Sequence, residues 1–573
     1  MSAFTAARER ITVRKVDEAT VGRLAAELGI PQIAARILVA RNLTDAKSCQ
    51  HFFRPSIDAF LDPFRFADME TAVARILKAI DRGEKIAIYG DYDVDGITGT
   101  AMLICGLRQL GAMCDYHLPY RLTDGYGVSV GGVRQIAESG ATLMITVDCG
   151  ITAVNEVALA RELGLDVIVT DHHESKEILP AAIALLNPKV ASCAYPDRDL
   201  AGVGVALKLC QALGQATGRG RAFWEQFLDL AALGTAADIV PLVGENRIIA
   251  RFGFERMRVT KNIGLAALIE LQGLAGKQFS TNEAVFQLAP SINAAGRIGD
   301  PRRAVELLLT RNAETAVECA RELRNANSER RTIDNTVWDQ AEAWVAAHCD
   351  DDHDVAIVAG NASWHPGVIG IVASKLVEKF HRPAILFAIA SNGSARGSGR
   401  SIPGLHLLDA LAECADLLDD FGGHAAAAGM SCKSSRIGDF RERFNAVVAK
   451  CTSPESLCPS VCADAELPLS AITPELFSCI KAMEPFGTGN MQPVLLCRDL
   501  NHRYVPRIVG TGNKHLKMTV SSGARVMDAI AFNFGDRLEE IKSAPAVSLA
   551  FALDENEWNG RKSLQMKVKG IAL

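Results

Sequence analysis

Residues 85–100 read KIAIYGDYDVDGITGT, and this stretch decides the fold. KIAIY suits a short buried strand; Gly90 and the alternating aspartates Asp91, Asp93 and Asp95 end it. ITGTAMLICGLRQLG follows with helical periodicity. The pattern recurs downstream. TLMITV (142–147) runs into Asp148-Cys149-Gly150 and then AVNEVALARELG, and DVIVT (166–170) runs into Asp171-His172-His173. Strands alternating with helices predict a parallel sheet with helical crossovers. Ligands in such sheets bind beyond the carboxyl ends of the strands, where these polar clusters lie. A fourth cluster, Asp238 in GTAADIVPL, follows a helical segment.

Carboxylates and imidazoles together suit Mn²⁺ or a similar ion, whereas an all-oxygen set suits Mg²⁺ or Ca²⁺. Two ions about 4 Å apart need a bridging carboxylate and roughly six ligating side chains. The four clusters can supply them. Taken singly, a strand-end Asp is more often a helix cap, and two adjacent histidines are usually a surface pair. Recurrence at four successive element ends favours a metal site. Asp91-Tyr-Asp93-Val-Asp95-Gly96 also fits the opening of an EF-hand loop, but that loop needs Glu at its twelfth position, and Met102 stands there. Gly127-Val-Ser129-Val-Gly131 fits GxSxG without the buried strand a nucleophile elbow requires. No GxxxxGK[ST] occurs, so a P-loop is unsupported.

The 573 residues imply three or four domains. No run reaches the roughly 18 apolar residues of a membrane span, and the opening MSAFTAARER lacks the features of a secretion signal. The fifteen cysteines include no CxxC pair and sit mostly in apolar stretches, as in a reducing compartment; a cytoplasmic protein with no membrane association is expected. The net charge of −6 argues against a bulk nucleic-acid coat but not against a nuclease, since two divalent cations would bring it to −2.

Working outward, residues 1–50 form a helical lead-in and 51–300 the α/β unit with the clusters. Residues 301–348 suggest one long connecting helix, with Ile333, Val337, Ala341 and Trp344 at helical spacing. A second α/β unit spans 349–450 and includes a Gly/Ser loop, NGSARGSGRS. Residues 451–573 open on the linker TSPESLCPS and then favour strands, which fits a β-barrel such as an OB-fold.

At these motifs the sequence resembles the DHH phosphoesterase superfamily, named for its Asp-His-His motif, here Asp171-His172-His173. Within it the chain resembles a bacterial branch of single-strand-specific 5′→3′ DNA exonucleases. The resemblance covers nearly the whole chain: YGDYDVDGITG, VDCGI, TDHH, GTAADIVPL, PSINAAGRIGD, WHPGVIGIVASKL, GSGRS, GGHAAAAGM, PFGTGN and NEWNGRKSLQM, in that order.

The resemblance implies that Asp93, Asp95, Asp148, His172 and Asp238 hold two divalent ions, Mn²⁺ or Mg²⁺, with Asp148 bridging. Asp91 would be an outer ligand or would orient one. His173 would face the scissile phosphate, and Arg297 would clamp it with a guanidinium fork. The second α/β unit resembles the DHHA1 domain, a substrate-binding partner closing a cleft over the metals, with Ser398 and Arg400 in SGRS and Gly423 and His424 in GGH touching substrate. Arg121 matches a residue linked to the 5′-phosphate. The C-terminal barrel would bind nucleic acid through Arg503, Arg507, Lys514, His515 and Lys517, with Trp558 and Phe532 able to stack bases. Residues beyond about 455 would carry no chemistry.

The leading expectation is therefore a metal-dependent exonuclease releasing mononucleotides from single-stranded DNA in repair and recombination. It would be a monomer, with a single-strand-binding protein and a RecQ-type helicase as partners. One alternative is a small-substrate phosphodiesterase of the same superfamily, acting on oligoribonucleotides or cyclic dinucleotides. The other is a catalytically silent DNA-binding scaffold. The lead-in and barrel favour a long substrate, and a silent relative would lack metal ligands that are all present here.

Overall fold

The computed structural model describes residues 9–120, 127–350, 353–510, 512–558 and 560–573. The chain divides into two compact units. One holds residues 50–329 together with Met483–Met491; the other holds the residues up to Cys49, Arg330–Ala482 and Gln492–Leu573.

The first unit is built on a five-stranded, all-parallel sheet. Its order is Met113–His117, Lys85–Gly90, Ala141–Val147, Asp166–Thr170, Ala184–Leu186. The chain steps from the second strand to one side, then crosses to the other. The switch point lies between the carboxyl ends of Lys85–Gly90 and Ala141–Val147, where such sheets bind ligands. The three strands expected from apolar runs form, because those runs are buried on both faces. The helices Val94–Gln109, Gly202–Ala216 and Leu228–Ala237 are buried almost all round. Such helices belong to an interior and can carry side chains into it.

In the second unit a five-stranded sheet runs Asp420–Gly423, Ala427–Lys433, Ser394–Arg400, Ala384–Ile389, Ile357–Asn361. The expected Gly/Ser loop is a strand at Ser394–Arg400, with Ala395, Gly397 and Gly399 buried at every second position. Small residues alternate there as larger apolar ones would elsewhere. Beyond it, Leu495–His502, Val547–Trp558, Arg561–Ala572, Arg525–Ala531 and His515–Ser522 pair in succession, and the last pairs back on the first. Five strands thus close into a barrel, as expected of an OB-fold.

Three further expectations need correction. The connecting helix is Ala313–His348, separate from Arg302–Leu309, because Asn312 Oδ1 caps it by accepting from Glu314 N and Thr315 N. The lead-in is not purely helical: Arg10–Val13 pairs in parallel with Ser460–Ala463. The segment Met483–Met491, placed beyond the chemistry, packs within the first unit. Among the described residues no helix is long and apolar enough to cross a membrane.

Candidate active site

The loop after Lys85–Gly90 is fixed by its own carboxylates. Asp93 caps the next helix, its Oδ1 accepting from Asp95 N at 3.0 Å and Gly96 N at 3.1 Å. Asp95 reaches the start of Gly202–Ala216: Oδ2 accepts from Gly202 N at 2.7 Å and Oδ1 from Val203 N at 2.8 Å. The positive end of that helix favours an anion there. Asp148, just past its strand, adopts φ 61°, a left-handed backbone that Asp tolerates better than most residues. Gly202 lies so close that a Cβ would sit 2.6 Å from Asp148 Cβ, so only glycine fits beside it.

Asp171 is committed to local bonds. Its Oδ1 accepts from His172 N at 2.7 Å and His173 N at 3.1 Å and lies 2.8 Å from His173 Nδ1, while Oδ2 accepts from Ile151 N at 2.9 Å. Two loops are tied together and the His173 ring is oriented. His172, only 6% exposed, points Nε2 at three carboxylates: Asp148 Oδ1 at 3.1 Å, Asp238 Oδ2 at 3.4 Å and Asp95 Oδ2 at 4.0 Å.

The side chains form three overlapping groups able to hold a cation: Asp148, His172 and His173; Asp95, His172 and Asp238; Asp91, Asp93 and Asp148. Within each, one ligand atom per residue lies within 4.8 Å of the others. Asp148 and His172 each belong to two groups, and of the two a carboxylate is the one able to bridge two ions.

Electrostatics agree with this crowding. Burial and the neighbouring Asp93 raise Asp95 to about 7; burial and Asp95 raise Asp238 to about 9 and push Asp148 well above the usual range. Burial and the adjacent His173 hold His172 down near 3, so its ring is a neutral donor of lone pairs. Burial opposes the charge on Asp171, but the His173 hydrogen bond and charge keep it below the usual carboxylate range. Conversely, burial works against the charge on His173, and Asp171 raises its pKa. His172 Nε2 and Asp238 Oδ2 are buried polar atoms without a well-formed hydrogen bond. A divalent cation satisfies such a set, and ligand atoms about 3 Å apart match an octahedral edge for bonds of about 2.1 Å.

Arg297 lies in the last turn of Ala289–Ile298, a helix joined to the aspartate loop by Val94 N donating to Asn293 Oδ1 at 3.1 Å. In the second unit, strand register places Arg400 opposite Ala427, and Gly423 opposite Ala428, which faces Gly399. Ser398 Oγ accepts from Arg400 Nη1 at 3.2 Å, and His424 N donates to Ala427 O at 2.8 Å. Ser398, Arg400, Gly423 and His424 therefore gather at one end of that sheet. On the barrel, Arg507, Lys517, Ile530 and Lys567 occupy one cross-strand row. Phe532 is partly exposed beside His515, with Lys567 over its ring. Arg121 and the Trp558 side chain lie outside the described residues. Ser129 caps the helix Val130–Glu138 by accepting from Gly132 N, a structural task for the GxSxG match.

Sequence reasoning did not assign the orienting role of Asp171 or the Gly202 and Val203 amides that hold Asp95. The DHH motif itself pointed at Asp171. Backbone donors leave no signature in residue types.

The parallel sheet, the second α/β unit and the barrel match, in order, the family models described as DHH family, N-terminal domain (residues 85–235), DHHA1 domain (353–450) and RecJ OB domain (463–570). Fold and site thus define a phosphoesterase of the DHH type. The single-stranded-DNA-specific exonuclease RecJ of Bacillus subtilis is 40% identical over 99% of this chain and 71% of that protein. Its counterpart in Salmonella typhimurium is 36% identical over 97% of this chain and 98% of that one. The crystal structure of RecJ with Mn²⁺ from Thermus thermophilus superposes with a TM-score of 0.84 at 30% identity, covering 99% of this chain and 80% of that one. This chain belongs to the RecJ family.

Proposed function

We propose that the protein is an exonuclease on single-stranded DNA, working 5′→3′ and releasing mononucleotides, with two divalent cations, Mn²⁺ or Mg²⁺, at the cluster around Asp148. The observation that carries this reading is the sharing of Asp148 between two groups of potential ligands, with His172 Nε2 3.1 Å away. The relatives' activity and the Mn²⁺ and Mg²⁺ in the Thermus RecJ structures support it.

In this reading Asp93, Asp95, Asp148, His172 and Asp238 hold the ions, and Asp91 ligates or orients one. Bound ions would supply an activated water and offset charge growing on the phosphate. The chain's own residues do the rest. Asp171 engages His173 Nδ1, which leaves Nε2 to face the scissile phosphate. Arg297 clamps that phosphate with two parallel donors. Ser398, Arg400, Gly423 and His424 grip the strand, Arg121 receives its 5′-phosphate, and the basic row on the barrel holds it further along. A monomer in the cytoplasm, acting in repair and recombination with a single-strand-binding protein and a RecQ-type helicase, completes the proposal.

Digestion of 5′- and 3′-labelled strands tests it. Labelled mononucleotide should appear first from the 5′ label, with Mn²⁺ or Mg²⁺ and not with EDTA, and blunt duplex should resist. Label released first from the 3′ end would refute the polarity, and cleavage in EDTA would refute the metal chemistry.

A further inference from the structure

Asp238 ends the helix Leu228–Ala237, its N–H donating to Gly234 O at 3.0 Å. The next residue, Ile239, has φ 65° and is 67% exposed. A β-branched residue in the left-handed region is strained, and such a backbone persists only where its surroundings over-determine it.

The surroundings include a segment far along the chain. Leu242 N donates to Thr488 O at 2.7 Å. Gly487 and Gly489 lie so close to the turn that an added Cβ would meet Leu242 Cδ1 at 2.6 Å and Pro241 Cβ at 2.9 Å. Asn246 Nδ2 also holds the turn, donating to Pro241 O at 3.0 Å.

Met483–Met491 is itself pinned. Arg247, 3% exposed, donates to Glu484 O at 2.9 Å and Pro485 O at 3.2 Å. Thr281 Oγ1 donates to Phe486 O at 2.5 Å, and buried Asn490 donates through Nδ2 to Met483 O and Pro485 O, both at 2.9 Å. Buried polar groups spent on one short segment are costly to orphan, so its conformation is held firmly.

We propose that Met483–Met491 is a positioning element for the metal centre: it fixes the Ile239–Leu242 turn and, through that turn, the Asp238 carboxylate. The inference rests on the proposed role of Asp238 as a ligand. Gly487, Thr488 and Gly489 are positioning residues that act through Asp238. Part of the sequence that leads into the barrel thereby sets the geometry of a site whose proposed ligands all precede it.

The test uses full-length protein stripped with chelator and titrated with Mn²⁺, free ion being read by electron paramagnetic resonance. Wild type is compared with Gly487→Val, Thr281→Val and Asp238→Asn. Gly487→Val should drive a side chain into Leu242 and raise the dissociation constant of one ion about tenfold, while two ions still bind at saturation. Saturating Mn²⁺ should restore its kcat to within about threefold, with the oligonucleotide KM unchanged. Thr281→Val keeps the side-chain shape, removes one bond, and should weaken the same ion by about two- to threefold. It carries the test if circular dichroism shows Gly487→Val unfolded.

Wild-type Mn²⁺ affinity in a folded Gly487→Val or in Thr281→Val would overturn the proposal. So would a kcat that stays low at saturating Mn²⁺ beside unchanged affinity, the mark of a merely structural role. Asp238→Asn separates the two levels. If it binds both ions as wild type does, the ligand assignment fails; if it binds weakly while the other two variants do not, the positioning role alone fails.

Discussion

His172 Nε2 lies 3.1 Å from Asp148 Oδ1, although the two residues follow different strands of the parallel sheet. Asp148 reaches that point because its backbone turns left-handed immediately after its strand, where Gly202 leaves room. Asp148→Asn should keep the backbone preference and lose the charge, lowering turnover by about three orders of magnitude or more, since in the proposed mechanism the metal pair that Asp148 bridges activates the water. Its melting temperature in EDTA should not fall, because a repelled buried carboxylate is removed. Retention of a tenth of wild-type activity would contradict a shared ligand.

The metal-free site should make stability depend on pH. An aspartate with a raised folded-state pKa holds its proton better in the native chain, so its contribution is fully present below the unfolded value and is lost as pH rises through the folded one. Asp95 at about 7 and Asp238 at about 9 behave this way. His173, also raised, adds to the loss. His172, held near 3, acts oppositely but only below its unfolded value of about 6.5. From about pH 6.5 to 9 thermal stability in EDTA should therefore fall, and Mn²⁺ should reverse the slope. An EDTA profile that rises over that range would contradict the electrostatics.

In the proposed centre Asp171, whose oxygens accept from Ile151 N, His172 N and His173 N, orients His173 rather than ligating an ion. Asp171→Asn should cut kcat by about 10- to 100-fold yet leave two Mn²⁺ bound. The limb of the pH–rate profile that belongs to His173 should move to lower pH, because Asp171 contributes the largest of the influences that raise it. Loss of an ion in metal titration would make Asp171 a ligand instead.

Arg297→Ala should lower kcat more than it raises KM, since a guanidinium gripping the phosphate tightens as charge develops. Arg297→Lys should recover only part, because a point charge lacks the planar fork. An effect on KM alone would assign Arg297 to holding the strand.

A chain ending at Cys451 should fail even on short oligonucleotides. It lacks the carbonyls of Glu484 and Pro485 that accept from buried Arg247, and each hydrogen bond lost from a buried charged group costs about 1.5–3 kcal/mol. A lowered melting temperature of the catalytic unit would show this; wild-type turnover on a short substrate would contradict it.

The sequence made the parallel sheet legible because KIAIY, TLMITV and DVIVT are apolar runs that end in aspartates, and the ligand clusters came with them. Pairing between distant segments carries no local signal. Nothing in RITV announces Ser460–Ala463 as its partner, and nothing in PFGTGN announces the turn after Asp238. The strand Ser394–Arg400 was hidden because its alternation is carried by glycine and alanine rather than by large apolar residues. The helix break before Ala313 rests on one Asn cap inside a charged, periodic stretch.

Anomalous diffraction from crystals soaked in Mn²⁺ is the most direct measurement. Two peaks about 4 Å apart should flank the Asp148 carboxylate, with His172 and Asp238 on one ion. A single peak, or a pair that does not share Asp148, would contradict the proposed centre.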